Sequence, residues 1–153
     1  MPQAGPRTLG AVLYERFELL DLYGPLEMFG ALGAELRIVT VAERKGPVAS
    51  TPGVETGLLD GRRATSNKMY FQLARSQGER VEWVTAARWV EDGPFATSSG
   101  VSAGTDMALA VIARLYGRER AEQIAIQTEY SWHRDADRDP FAAYLDRGVA
   151  PPA

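Results

Sequence analysis

The chain has no cysteine, which excludes disulfides, thiolate metal sites, redox pairs and a cysteine nucleophile. It has one histidine, His133. Ser66, Ser99 and Ser102 therefore lack the positioned base that would turn a serine into a nucleophile. No stretch approaches the roughly 18 apolar residues of a membrane span. The opening residues, Met1 to Arg7, hold two prolines and no apolar run, so neither export nor membrane insertion is read and a cytoplasmic location is expected. Basic charge is not in excess: 17 Lys and Arg stand against 20 Asp and Glu, for a net charge of −3. With no basic face, nucleic acid is not an expected partner. Internal repeats, heptads and low-complexity blocks are also absent.

What is present is an ordinary globular balance, 45% apolar and 24% charged over 153 residues. A chain of this size buries about 70% of its unfolded surface as one domain, so a single domain over 1–153 is expected. Thr8 to Tyr14 reads as a strand buried on both faces. A turn through Glu15 to Asp21 then leads to a helix with Pro25 in its first turn, carrying Leu26, Phe29 and Leu32 and ending at Gly33. Glu35 to Val41 is β-branched and strand-like, which completes a βαβ unit.

Further on, Leu58 to Thr65 looks like the end of a helix running into a strand, with Gly61 near the C-cap, although no helix body precedes it. Lys68 to Ser76 is helical and Val81 to Val84 is a strand. Trp89 to Thr97 is a hairpin turning at Asp92-Gly93, with Pro94 holding its second strand to a late start or an edge. Ser98-Ser99-Gly100 precedes a buried helix from Ser102 to Leu115. After Gly117, Arg118 to Tyr130 is amphipathic, with Ala121, Ile124 and Ala125 inward. Asp135 to Ala153 is acidic and proline-ended and is expected to fray, residues 142–153 most of all.

Two blocks carry a resemblance. The first is Leu20-Asp21-Leu22-Tyr23-Gly24-Pro25-Leu26-Glu27-Met28-Phe29, after the N-terminal strand. The second begins at Leu59-Asp60-Gly61-Arg62-Arg63-Ala64-Thr65-Ser66-Asn67-Lys68 and continues through Val81-Glu82-Trp83-Val84 and Trp89-Val90-Glu91-Asp92-Gly93. It ends at Thr97-Ser98-Ser99-Gly100-Val101-Ser102-Ala103-Gly104-Thr105-Asp106. Together they resemble the ThiJ/PfpI family of the class I glutamine amidotransferase-like superfamily, in its isocyanide-hydratase-like branch. The resemblance implies an α/β fold, flavodoxin-like, with a mostly parallel sheet sandwiched by helices and a site at the carboxyl ends of strands. It also implies a cysteine on a strand-to-helix elbow, an acid after the first strand, and a glycine pair whose amides polarise the substrate.

Only the acid is matched here, at Asp21. Between Val54 and Leu58 the family pattern would place a further strand, the glycine-pair strand, the elbow strand and their helices. At ~30 residues per βαβ-type unit, roughly 60 residues are missing. Gly53 to Leu58 therefore reads as a joint where central strands are deleted, which accounts for the headless helix end at Leu58.

Asp21 is read as the family acid, a general acid/base left vestigial without its thiolate; as plain structure it is a capping aspartate. Glu27 is read as a first-turn glutamate favoured by the helix dipole. Ser99, Gly100 and Ser102 resemble the family's pocket wall and are the candidate substrate-binding residues, set at a helix N-terminus with free amides. Their structural alternative is a capping serine with glycines chosen for close approach. The Asp135-Asp137-Asp139 alternation resembles a calcium loop, but Pro140 stands where such a loop needs glycine, so no metal and no cofactor are expected. The sequence thus predicts a catalytically inactive, internally truncated relative of isocyanide hydratases. The alternative is a non-catalytic small-molecule-binding or dimerising module, like the sensing domains of some transcription regulators; a homodimer is expected if the shortened chain folds, and a partly folded, aggregation-prone product if it does not.

Overall fold

The computed structural model describes residues 6–13, 19–42, 59–145 and 147. These residues form an α/β fold that resolves into two compact units, each built from two separate stretches of chain. The first comprises 1–54 and 108–132, the second 55–107 and 133–153. The chain expected as one domain thus contains two local clusters of structure. The joint at Gly53 to Leu58 lies outside the described residues.

In the first unit β1 (Arg7–Leu13), α1 (Leu19–Gly30) and β2 (Leu36–Ala42) form the expected strand-helix-strand. β1 and β2 pair in parallel, with Leu9 opposite Ile38 and Val12 opposite Val41. α1 begins well before Pro25, which lies inside it, so the expected turn up to Asp21 is already helical at its end. Pro25 forgoes one i→i−4 hydrogen bond but is buried, as are Met28, Phe29 and Leu32 beyond it; burial outweighs the lost bond. The helix stops at Gly30, short of Gly33, which at φ +54° opens a single 3-10 turn into β2.

β1 is not buried on both faces as expected. Val12 is 46% and Val41 48% exposed. Parallel strands draw their burial from neighbours on both sides, and among the described residues this sheet has only its two strands.

The rest of the unit comes from the later part of α3 (Val101–Tyr116) and from α4 (Arg118–Gln127). Leu109, Ile112, Ala121 and Ile124 are each fully buried. Arg7 Nη1 donates to the Leu115 carbonyl at 2.9 Å, and its guanidinium lies 5.2 Å from the centre of the Tyr116 ring. Arg120 pairs with Glu35 at 2.9 Å, which ties α4 to the start of β2.

The second unit carries β3 (Arg63–Ala64), α2 (Phe71–Gln77), β4 (Glu82–Trp83) and the hairpin of β5 (Trp89–Asp92) and β6 (Phe95–Ser98). β3 and β4 are parallel, and β5 and β6 are antiparallel. One mostly parallel sheet was expected; the described residues give three two-stranded pieces. Asp92 faces Phe95 across the hairpin, so the turn residues are Gly93-Pro94, one position later than the Asp92-Gly93 expected. Gly93 has φ +60°, the conformation that a two-residue turn with glycine leading requires, and Pro94 is excluded from the ladder as expected.

The acidic segment after Trp132 does not fray along its first part. The Arg88 amide donates to Ala136 O at 2.7 Å and the Asp139 amide to Ala86 O at 2.9 Å, so this stretch runs beside the chain entering β5. A 3-10 turn, Ala142–Tyr144, follows. Residues 148–153 lie outside the described residues, where fraying was expected.

Candidate functional site

Asp21 lies in the first turn of α1, in the first unit; its side chain is outside the described residues. Glu27 is exposed in the third turn of that helix, so the first-turn dipole reading fails because α1 starts earlier than the proline implied. Ser99, Gly100 and Ser102 belong to the second unit, at the start of α3. A Cβ on Gly100 would approach Asn67 Nδ2 only to 3.9 Å, an ordinary contact, so close packing does not demand this glycine. Ser99 is buried, and its amide donates to Arg88 O at 2.9 Å. Ser102 Oγ accepts from Arg88 Nη2 at 3.1 Å.

Arg88 therefore sits behind the predicted pocket wall, and it belongs to a set of buried charges that sequence reasoning missed. Its Nε and Nη2 reach Asp106 Oδ2 at 2.7 and 2.6 Å. The other Asp106 oxygen accepts from the His133 amide at 2.8 Å. Lys68 Nζ donates to Thr65 Oγ1 at 2.7 Å and to Ala87 O at 2.6 Å. Asp139 completes the set, 3.7 Å from both Lys68 Nζ and Arg88 Nη1. Lys68, Arg88, Asp106 and Asp139 are all at most 5% exposed. Two cations and two anions balance, as burial of charge demands.

Asp106 left a trace in the sequence: a carboxylate entering a run of apolar helix residues needs a partner. Lys68 and Asp139 left none, since they read as surface charges. Of the Asp135-Asp137-Asp139 alternation, Asp135 and Asp137 are exposed, whereas Asp139 is buried. Among the described residues no three His, Cys, Asp or Glu side chains group as metal ligands, and no helix is long and apolar enough to cross a membrane.

Burial pushes the Lys68 ammonium below its usual value of 10.5, while Asp139 pulls it back up. Between the lowered value and 10.5 the unfolded chain holds a proton that the folded chain has released, so stability rises with pH across that interval. Urea midpoints of wild type and Lys68→Met should therefore diverge as pH climbs toward 10.5, with wild type gaining on the variant. Parallel pH profiles would show that Lys68 titrates as if exposed.

The geometry can be set beside known proteins. No family model matches the chain. Its fold superposes on an AraC family transcriptional regulator from Pseudomonas putida with a TM-score of 0.63 at 12% identity, covering 80% of this chain and 100% of that one. A ThiJ/PfpI family protein from Pseudomonas syringae gives 0.62 at 24% identity, over 91% of this chain and 78% of the other. A DJ-1 superfamily protein from Salmonella typhimurium gives 0.61 at 19%, over 82% and 100%.

These likenesses define the class of fold: the described residues share the α/β fold of ThiJ/PfpI and DJ-1 superfamily proteins. In sequence, 75 residues, 49% of the chain, are 36% identical to isonitrile hydratase from Pseudomonas putida. The chain spans about a third of that relative's length, 32%.

Proposed function

We propose that the chain is an internally truncated, isonitrile-hydratase-like ThiJ/PfpI protein without catalytic activity. The observation that carries this reading is the absence of cysteine from all 153 residues, in a chain whose resemblance calls for a cysteine nucleophile. Asp21, the matched acid, has no thiolate to serve, and neither the glycine pair nor the elbow has a counterpart between Val54 and Leu58. A second reading, a small-molecule-binding or dimerising module, is supported by the fold shared with a transcriptional regulator. It is supported too by the start of α3, where Ser99, Gly100 and Ser102 are backed by Arg88.

The test is incubation of the purified chain with a simple alkyl isonitrile, following addition of water to give the N-alkyl formamide. No turnover above buffer is expected, for wild type or Asp21→Asn alike. Turnover that Asp21→Asn abolishes would overturn the inactive reading. Saturable calorimetric binding of the same isonitrile, lost in Ser102→Ala, would select the second reading over the first.

A further inference from the structure

The segment from His133 to Asp139 is fastened at both ends, and at the second the backbone is bonded while the side chain is not. At the first, the His133 amide bonds Asp106 Oδ1 at 2.8 Å, and Asp106 is itself fixed by Arg88. At the second, the Asp139 side chain is fully buried, yet its Oδ2 accepts no hydrogen bond among the described residues. That oxygen faces Lys68 Nζ at 3.7 Å. Its Oδ1 faces Arg88 Nη1 at 3.7 Å and, among the described residues, accepts only the nearby Phe141 amide, at 3.0 Å. Both cation distances exceed a hydrogen bond, so charge alone draws this carboxylate to the two cations, while the Asp139 amide on Ala86 O and the Arg88 amide on Ala136 O hold the backbone.

Neither cation depends on Asp139 for its hydrogen bonds. Lys68 keeps Thr65 Oγ1 and Ala87 O, and Arg88 keeps Asp106 and Ser102. If Asp139 leaves, Lys68, Arg88 and Asp106 together carry one positive charge, complementary to a monoanion. The space left has the shape of a carboxylate, with one oxygen toward each cation.

We propose that Lys68 and Arg88 form a carboxylate-binding pocket that the chain fills with its own Asp139, and that a small monocarboxylate takes the same place when the segment lifts from its Asp139 end. The pocket is distinct from the Ser99 to Ser102 wall, but Arg88 touches both through its bond to Ser102. An external anion in that place competes with the Asp139 side chain, and the backbone bonds of Ala136 to Arg88 and of Asp139 to Ala86 must open for the segment to lift.

The test is chemical rescue, in the full chain. Asp139→Ala removes the carboxylate and leaves a formate-sized space. Its thermal midpoint should lie below that of wild type and rise saturably by several degrees in sodium formate, relative to sodium chloride at equal ionic strength. Asp139→Asn, which keeps the space filled, and Lys68→Met combined with Asp139→Ala, which lacks one cation, should both lose the response. An equal rise in formate and chloride, or an undiminished formate effect without Lys68, would overturn the proposal. A rise in sulfate as large as in formate would overturn the assignment to carboxylates. If Asp139→Ala does not fold in chloride, formate is expected to restore cooperative melting, and failure to do so counts against the pocket.

Discussion

Alanine at Asp106 is expected to lower the unfolding free energy by about 3–5 kcal/mol, the usual cost of stranding a buried charge. Asp106 is 0% and Arg88 5% exposed. Removing the carboxylate leaves a guanidinium out of reach of water, its nearest counter-charge then being Asp139 at 3.7 Å. The His133 amide loses its acceptor as well. Urea midpoints with an unchanged slope would measure the loss. Pairing Asp106→Leu with Arg88→Met removes both charges and should recover most of it, because buried pairs are worth far less than the cost of breaking them. A loss below about 1 kcal/mol in the single variant would mean that Arg88 finds water or another partner, in the range of an exposed pair.

The second large effect is expected at Phe71, which is completely buried although it opens a short helix with exposed residues on either side. Its ring meets Trp83 edge-on at 5.6 Å. Lys68 Nζ and the Arg75 guanidinium lie 5.3 and 5.2 Å from its centre. Phe71→Ala should cost about 3–5 kcal/mol, from the lost transfer energy together with the cavity left behind. Phe71→Leu preserves most of the volume and forfeits the aromatic contacts, so about 1–2 kcal/mol is expected. Equal losses for the two variants would show that ring chemistry rather than volume holds this part of the second unit together.

Sequence reading went furthest where periodicity is strong and local. The β1-α1-β2 unit, the Trp89 hairpin and the inward face of α4 were legible because apolar spacing and turn residues fix them within a dozen positions. Boundaries slipped where one residue admits two roles. Pro25 suits a first turn, and only its burial beside Met28 and Phe29 explains its place inside α1. The Ser99 to Ser102 segment was legible through resemblance, whereas the charges behind it were not. Lys68, Arg88 and Asp139 come from three distant stretches, and nothing in the local pattern around any of them distinguishes a buried ion from a solvated one. The half-open β1 was misread for a related reason: an apolar strand shows what it could bury, not which neighbours are there to cover it.

The interleaving of the two units bears on how the molecule comes into being. Each unit takes its two stretches from either side of a stretch belonging to the other, so no single cut of the chain releases either one whole. Arg7 must wait for Leu115, 108 positions downstream, and Met28 for Thr128, 100 positions on. A ribosome emitting this chain from its first residue therefore delivers β1 long before the helices that complete its cluster exist. Val12 and Val41 spend that interval with even less cover than the finished fold gives them. Closing such long loops is slow, so synthesis, more than equilibrium stability, sets when this protein is most exposed to wrong partners.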